Sequence, residues 1–280
     1  MYKGKAIYKP SGKAGEYAQW ACNYFVGCSN DCDYCYCKKG VLATVAGGPQ
    51  PTLKKCFRDH QHAFETFVEE MLGHIGPRKQ RYMLIRDAGG LFFSFSSDPC
   101  LPETLELTLL SVMFATGLGV PCQILTKCTD WLKDDTNFKT LLSVKDLVSI
   151  GFTLTGMDIM EKGPTVASND ERIAALKRLH GNGIKTFTSF EPVVTFERAA
   201  EYLHYAEPYC DLFKFGLMSG DAHAYDRYDM PARLEEFVKE TTAFLSQNEK
   251  PVFWKKSITG RLSFVPQGEN VVGSDYSLFK

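Results

Sequence analysis

The chain has 280 residues, 44% of them hydrophobic, which is enough for one large domain with a full core. Its formal net charge is −1, so bulk electrostatics do not favour binding to nucleic acid. No apolar run is long enough to cross a bilayer, and the N-terminus has no apolar signal region. We therefore expect a cytoplasmic protein without membrane contact.

Short apolar runs rich in β-branched residues alternate with stretches of helical periodicity along the chain. The apolar runs predict strands at 20–26, 91–95, 123–126, 147–153, 184–190, 212–217 and 252–254. Such alternation implies a parallel sheet covered by helices, either an open doubly wound sheet or a full or partial β/α barrel. Both architectures place their chemistry at the carboxyl ends of the strands, so function is sought there.

Helical patterns lie between the predicted strands. Apolar residues recur at spacings of three and four in 64–75 and again in 105–113. Ser168 and Glu171 form a capping-box pattern that predicts the start of a later helix, which Gly181 ends. Another helix is predicted after Pro231, which suits a first turn. The glycine-rich segment 40–51 predicts an irregular loop, and the segment 255–280 either covers a sheet edge or packs across a barrel mouth.

Ten cysteines are many for a chain of this length. A disulfide framework is not expected, because the cytosol keeps thiols reduced. Three of the cysteines form the motif Cys28-Ser-Asn-Asp-Cys32-Asp-Tyr-Cys35, directly after an apolar run that ends at Gly27. Three thiolates at such short spacings suit a cubane cluster with one open iron, whereas electron-transfer clusters use four thiolates.

Other metal and redox sites fit this spacing less well. A structural zinc site would need a fourth ligand, such as Cys37 or Cys22, and usually uses two separated pairs. A c-type haem would need His where Tyr36 stands, and a thioredoxin-like motif would use only Cys32 and Cys35. We expect Cys37 not to be an iron ligand, because it lies too close to Cys35, and Cys22 to belong to the core.

The motif Cys28-x3-Cys32-x2-Cys35, with an aromatic residue at Tyr34, resembles the signature of the radical S-adenosylmethionine (SAM) superfamily. Further matches resemble the branch that includes spore photoproduct lyase and DNA repair photolyase-like proteins. These matches are Glu16-Tyr17-Ala18, 23–28, Tyr34-Cys35-Tyr36, Ser96-Ser97-Asp98-Pro99, Leu125-Thr126-Lys127 and the helix and turn at 171–184. Together they extend over roughly residues 16–220.

The resemblance implies a [4Fe–4S] cluster on Cys28, Cys32 and Cys35, whose open iron chelates SAM. Reductive cleavage of SAM would then yield a 5′-deoxyadenosyl radical that abstracts hydrogen from a substrate. The implied fold is α/β, a partial (β/α)6 TIM-like barrel with parallel strands over 1–254, including an N-terminal lead-in. Residues 255–280 would be a C-terminal extension of unknown role. The implied partners are SAM and a reducing electron donor such as flavodoxin or ferredoxin.

The resemblance also implies cofactor-binding residues at the ends of the strands. These candidates are Tyr34, Ser96, Ser97, Lys127, Thr153, Thr155 and Glu191. Lys127 would pair with the methionyl carboxylate, the serines with amino or ribose groups and the threonines with the ribose. Glu191 would contact cofactor or substrate. The structural alternatives are a helix cap through Ser97 or Asp98 and ion pairs at Lys127 and Glu191.

One position departs from the lyase pattern. In spore photoproduct lyase, a cysteine directly before the Ser/Thr-Ser-Asp step returns a hydrogen atom to the product radical, but Phe95 stands there in this chain. A phenyl ring cannot donate a hydrogen atom as a thiol does. Cys100, further along the same loop, is a candidate catalytic hydrogen donor; its structural alternative is a buried or surface thiol.

Three functions remain open on the sequence. The first is a radical SAM enzyme with an unidentified substrate. The second is a DNA repair lyase that acts on pyrimidine photoproducts, which the near-neutral charge does not support. The third is a metal-stabilised binding module without catalysis.

Overall fold

The computed structural model describes residues 4–75, 77–219 and 230–279. Its main feature is a mostly parallel eight-stranded sheet in the order β1-β2-β5-β6-β7-β8-β9-β10. The strands are β1 (Ile7–Tyr8), β2 (Ala21–Cys22), β5 (Leu91–Phe93), β6 (Cys122–Thr126), β7 (Val148–Thr153), β8 (Lys185–Val193), β9 (Phe213–Leu217) and β10 (Val252–Trp254). Only the β1–β2 pair is antiparallel among these pairings. The fold is therefore mixed α/β, as the alternation of patterns predicts.

The predicted strand at 20–26 is wrong in one respect, because it is two strands that belong to different sheets. β2 pairs in the main sheet, whereas β3 (Phe25–Val26) pairs antiparallel with β4 (Thr52–Leu53). Asn23 lies at the break between them. Its amide donates to the Tyr8 hydroxyl, and its side-chain oxygen accepts the backbone N–H of Phe95. These bonds turn the chain out of the main sheet just before the cysteine motif.

Helices connect the parallel strands from β5 to β10. The helices are α1 (Leu42–Val45), α2 (His60–Leu72), α3 (Arg81–Asp87), α4 (Leu105–Gly117), α5 (Asp135–Ser143), α6 (Asn169–Gly181), α7 (Phe196–Ala206), α8 (Met230–Gln247) and α9 (Lys256–Thr259). The capping box of Ser168 and Glu171 is confirmed at the start of α6, and Pro231 lies in the first turn of α8. The segment 40–51 is not wholly irregular, because it contains α1.

The strand order has no reversal, unlike that of a doubly wound sheet.

Side chains on the two faces of the sheet enter different apolar clusters, because successive residues of a strand point to opposite faces. Along β9, Phe213 and Phe215 belong to the large cluster shared with the helices. A smaller cluster on the opposite face, called the inner cluster below, contains Tyr17, Phe92, Phe187 and Leu212. The described strands thus have one face covered by helices and an opposite face, called the inner face below, with its own apolar cluster.

The C-terminal segment covers the free edge of β10. The backbone N–H of Val252 donates to the carbonyl of Asn270, and the N–H of Val272 donates to the carbonyl of Val252. Val272 and Leu278 also pack against the inner cluster. Ser277 lies against Gly89, close to the amino end of β5. Of the two placements considered from sequence, the structure shows the covered sheet edge. No helix in the described ranges has both the length and the apolar character needed to span a membrane.

Candidate cofactor site at the carboxyl ends of the strands

The cysteine motif lies on the loop between β3 and α1, and backbone contacts hold both ends of this loop. The N–H of Cys28 donates to the carbonyl of Gly48, 3.0 Å away, and the N–H of Asp33 donates to that of Met160, 2.9 Å away. A Cβ on Gly163 would lie 2.2 Å from the carbonyl oxygen of Ser29. The segment after β7 therefore approaches the motif backbone to backbone, which only glycine permits at this position.

Asp98 joins this loop to the ends of β5 and β6. Its carboxylate, in a residue only 8% exposed, accepts four hydrogen bonds. The donors are the amide of Asn30 at 2.8 Å, the hydroxyl of Thr126 at 2.6 Å, and the backbone N–H groups of Lys127 and Cys100, each at 2.9 Å. A buried carboxylate with four donors is fully satisfied. Asp98 therefore fixes the cysteine loop against the strand that carries Lys127.

The helix-cap alternative for Ser97 or Asp98 is wrong, because α4 begins at Leu105 with Thr104 as its N-cap residue. The hydroxyl of Ser96 donates to the carbonyl of Phe25 at 2.5 Å. The hydroxyl of Ser97 is buried and has no hydrogen-bond partner within the described ranges. An unsatisfied buried hydroxyl is unusual, so Ser97 keeps a free donor at the carboxyl end of β5.

A buried network fixes the ring of Tyr34. The phenol donates to one carboxylate oxygen of Glu161, and Arg172 forms an ion pair with the other. The side chains of Glu161 and Arg172 are both 0% exposed. Arg172 also donates to the carbonyl of Thr153 at 2.8 Å. Burial, followed by the charge of Glu161, raises the pKa of Tyr34 well above its usual value, so the phenol keeps its proton.

Lys127 lies above this ring, with its ammonium nitrogen 5.6 Å from the ring centroid of Tyr34. The ion-pair alternative for Lys127 is not met, because no carboxylate of the described residues lies within 4 Å of this nitrogen. Burial acts to lower the pKa of Lys127, but Cys32 and Glu161 raise the pKa overall. The ammonium is therefore charged and available for an anionic ligand.

The three motif thiols share the field of this ammonium. Burial raises the pKa of Cys28 to about 12 and also raises that of Cys32. Interaction with the neighbouring thiol of Cys37 lowers the pKa of the Cys35 thiol. The charge of Lys127 acts to lower the thiol pKa at all three motif positions. The charge of Lys127 therefore favours the thiolate form at each motif position.

The donor set suits an iron–sulfur cluster in number and kind. All three motif cysteines are free thiols on one loop, and Cys22 is fully buried in the core as expected. Thiolates select soft metals and iron–sulfur clusters over Mg²⁺ or Ca²⁺. Within 4–75, 77–219 and 230–279, no group of three or more Cys, His, Asp or Glu has the arrangement of a metal site. The structure thus places the three donors on one loop without bringing them into the arrangement of a metal site.

The remaining candidates occupy different surroundings. Thr153 is 4% and Thr155 2% exposed, and the Thr155 hydroxyl accepts the N–H of Met157 at 3.2 Å. Glu191 forms an ion pair with Lys255, so its structural alternative is realised. Cys100 is 3% exposed within the large apolar cluster, and burial raises its pKa well above the usual thiol value. Its role as a hydrogen donor stays a prediction.

Sequence reasoning missed Asn30, Glu161 and Arg172. Arg172 lies within the helix that carries the family resemblance, so its position was indicated without a role. Asn30 lies inside the cysteine motif, between two ligand candidates, at a position that the motif leaves variable. Glu161 follows β7 in an irregular segment with no pattern of its own. Its role depends on partners at positions 34 and 172, which only the folded chain brings together.

Comparisons with known proteins give partial matches. No protein-family model matches the chain. An uncharacterized protein of Methanocaldococcus jannaschii, MJ0683, is 24% identical over 222 residues, which are 78% of this chain and 76% of that protein. This identity does not by itself assign a family.

Solved structures match at TM-scores below 0.5. Streptococcus suis SuiB bound to S-adenosylmethionine has a TM-score of 0.42 and 15% identity, covering 59% of this chain and 36% of SuiB. SuiB bound to its precursor peptide SuiA has a TM-score of 0.43 and 15% identity, covering 66% of this chain and 44% of SuiB. The Bacteroides ovatus β-mannanase BoMan26A has a TM-score of 0.32 and 11% identity, covering 66% and 70% of the two chains. The chain spans less than half the length of SuiB.

Proposed function

We propose that this chain is a radical SAM enzyme in which Cys28, Cys32 and Cys35 hold a [4Fe–4S] cluster. The proposal is supported by the motif Cys28-x3-Cys32-x2-Cys35 on a single loop and by Lys127, directly after β6, which has no carboxylate within 4 Å among the described residues. Three thiolates leave one iron of a cubane without a protein ligand. When bound, the reduced cluster and SAM supply a 5′-deoxyadenosyl radical that takes a hydrogen atom from a substrate.

The residues around the thiols serve to bind and orient SAM. Lys127 pairs with the methionyl carboxylate, because it carries a charge that no carboxylate of the described residues neutralises within 4 Å. Tyr34, held by Glu161 and Arg172, presents a fixed ring below that ammonium. The free hydroxyl of Ser97 is available for an amino or ribose group. Asp98 accepts hydrogen bonds from Asn30 and from the backbone of Lys127, so it holds the cysteine loop and Lys127 at fixed positions relative to each other.

The fold proposed for this chemistry is a partial (β/α)6 barrel. Its support is the strand order without reversal and the inner cluster that is packed separately from the helix-facing core. A barrel that encloses the reacting groups would exclude water from a radical. Repair of thymine photoproducts is not proposed, because Phe95 replaces the lyase thiol and its ring stacks on Phe92 with centroids 4.7 Å apart.

Anaerobic loading with iron and sulfide tests the proposal. We expect about four irons per chain, and conversion of SAM to 5′-deoxyadenosine once the cluster is reduced. Alanine at position 28, 32 or 35 should abolish both iron binding and conversion. Cys56→Ala is the matched control, because Cys56 is an exposed free thiol, and it should change neither. A wild-type chain that cannot be loaded with iron, or that holds iron without cleaving SAM, would contradict the proposal.

Cys37→Ala separates the ligands from their neighbour. Cys37 is 7% exposed and hydrogen bonds with Cys35, so it is the nearest alternative ligand. We expect normal iron content in this variant. Loss of iron comparable to that of Cys35→Ala would make Cys37 a ligand and the assignment wrong.

A further inference from the structure

A cluster of polar side chains lies on the inner face of the sheet, beside β8, β9 and β10. Lys255, 1% exposed, holds both carboxylate oxygens of Glu191 at 2.7 and 2.8 Å. Tyr17 donates its phenol to Glu191 at 2.6 Å and also hydrogen bonds with Ser189. A Cβ on Gly216 would lie 3.0 Å from side-chain carbons of both Glu191 and Lys255, so this glycine leaves room for the ion pair. The carboxylate of Glu191 is thereby satisfied by two donors.

Lys214 is the second lysine of this cluster, and it has no counterion within 4 Å among the residues that the structure describes. The residue is 5% exposed, yet its ammonium has no hydrogen-bond acceptor and no carboxylate within 4 Å among the described residues. Its contacts are ring faces, with the nitrogen 4.9 Å from the centroid of Tyr17 and 5.1 Å from that of Phe187. Burial, and then repulsion by Lys255, lowers the pKa of Lys214 to about 7.

Lys214 lies on the inner face of β9, opposite the face that carries Phe213 and Phe215. Lys214 pairs in register with Ser189 of β8, and Tyr17, the ring it covers, contacts Phe95 edge-on at 6.0 Å. The carbonyl of Phe95 in turn accepts hydrogen bonds from the Tyr36 hydroxyl and the Cys37 thiol, just after Cys35. The amine of Lys214 is therefore connected to the cysteine loop through contacts with Tyr17 and then Phe95.

SAM itself is a poor candidate for the missing counterion. Lys127 directly follows β6, whereas Lys214 lies in β9, and the strands β7 and β8 lie between β6 and β9 in the sheet. Neighbouring strands lie about 4.8 Å apart, so the two positions are about 14 Å apart along the sheet. The two lysines therefore start from different places along the sheet. We assign the anion opposite Lys214 to a ligand other than the methionyl carboxylate.

We infer that Lys214 binds an oxyanion, a carboxylate or a phosphate, carried by the substrate. The cluster holds two lysines for one carboxylate, and burying an unpaired amine costs free energy that an apolar side chain of equal length would not. An anionic group bound on the inner face supplies the missing charge. The inference rests on the proposed function only in calling the bound ligand a substrate. The anion site itself rests on the geometry of Tyr17, Glu191, Lys214 and Lys255.

Thermal unfolding of the full chain with two probe anions tests the site. Sodium phosphate and sodium acetate are titrated separately at constant ionic strength, at pH 6 and at pH 8.5. We expect at least one anion to raise the melting temperature of the wild type to a saturating value at pH 6, and less at pH 8.5, where the amine is largely neutral. Lys214→Met should weaken that apparent affinity about tenfold or more. Lys139→Met, at an exposed lysine of α5, should leave it unchanged.

The outcomes separate the anion site from the proposed function. Stabilisation by phosphate alone, by acetate alone or by both identifies the class of oxyanion. Stabilisation by neither, or stabilisation that Lys214→Met retains in full, overturns the site. Iron loading and 5′-deoxyadenosine formation are measured on the same wild-type preparation. A chain without iron that keeps Lys214-dependent anion binding would refute the radical chemistry alone, and an iron-loaded active chain without it would refute the anion site alone.

Discussion

The amide of Asn30 donates to the carboxylate of Asp98 across 2.8 Å in a buried position, so one hydrogen bond links the cysteine loop to the sheet. Asn30 lies between Cys28 and Cys32, and its backbone carbonyl also accepts the N–H of Gly163 at 3.0 Å. The loop is therefore fixed from two directions. This arrangement couples the placement of the thiols to the stability of the strand ends.

Asp98→Ala should loosen the cysteine loop and destabilise the fold. The substitution leaves four donors without their acceptor in a buried place, so we expect the free energy of unfolding to fall by about 2–4 kcal/mol. Iron content after loading should fall as well. Urea unfolding of the unloaded protein and iron analysis measure the two effects. Asp130→Ala, which removes an exposed carboxylate paired only with Lys133, should change stability by less than about 1 kcal/mol. Equal behaviour of the two variants would contradict the role of Asp98.

Lys127→Ala should weaken the binding of SAM and spare the cluster. The variant removes the cation expected to pair with the methionyl carboxylate, but it leaves all three thiols and the backbone N–H that Asp98 accepts. We expect normal iron content and an affinity for SAM at least about tenfold lower. Equilibrium binding of SAM to the iron-loaded protein, without oxygen, measures the affinity. Lys133→Ala is the exposed control. An unchanged affinity in Lys127→Ala would refute the assignment.

Arg172→Met should destabilise the fold through Glu161. The side chains of this ion pair are 0% exposed, and removing the cation leaves a buried carboxylate without its partner. Breaking a buried pair typically costs about 3–5 kcal/mol. The double variant Glu161→Gln with Arg172→Met should recover part of that loss, because no isolated charge remains. Urea unfolding measures all three proteins. Arg198→Met, whose partner Glu201 lies at the surface, provides the control, and a loss as large as that of Arg172→Met would contradict the prediction.

Lys214 should make the stability of the fold depend on pH. Its folded pKa of about 7 lies below the unfolded value of 10.5, so the unfolded chain binds more protons between these limits. The free energy of unfolding should therefore rise with pH from about 7 to 10, by up to ~1.4 kcal/mol per pH unit from this group. Tyr17, Glu191 and Lys255 are the charged or titratable groups that face it. Lys214→Met should remove this rise in urea unfolding series. If the wild type and the variant had parallel pH profiles, the pKa of Lys214 would not be lowered in the folded protein.

The regular part of the fold was accessible from the sequence because its signals are local. The run 123–126 and the strand Cys122–Thr126 agree closely, since a buried parallel strand is a short apolar run. The capping box at Ser168 is equally local, because its two side chains are three residues apart. The division of 20–26 into β2 and β3 could not be predicted from the sequence. Which partner a strand pairs with depends on residues far along the chain, here Thr52 and Phe92.

The candidate site divides in the same way. The spacing of the three cysteines predicts a cluster on this loop, which stays a prediction, and the strand reading places Lys127 directly after β6, as the structure has it. The supports of the site were not predictable, because Asn30–Asp98 and Glu161–Arg172 are pairs made by folding. The cluster of Lys214, Lys255 and Glu191 could not be predicted from the sequence for a further reason. Lys214 stands between Phe213 and Phe215 in an alternating strand, a pattern that ordinarily places the charge in water.

The segment beside β10 also protects the end of the main sheet. A strand edge with unpaired backbone groups is a template on which another chain can pair. At Val252 the N–H and carbonyl on this edge are taken by Asn270 and Val272 of the same chain. Val272 and Leu278 pack against the inner cluster, which anchors the segment in place. The described chain therefore discourages association of two copies through their β10 edges.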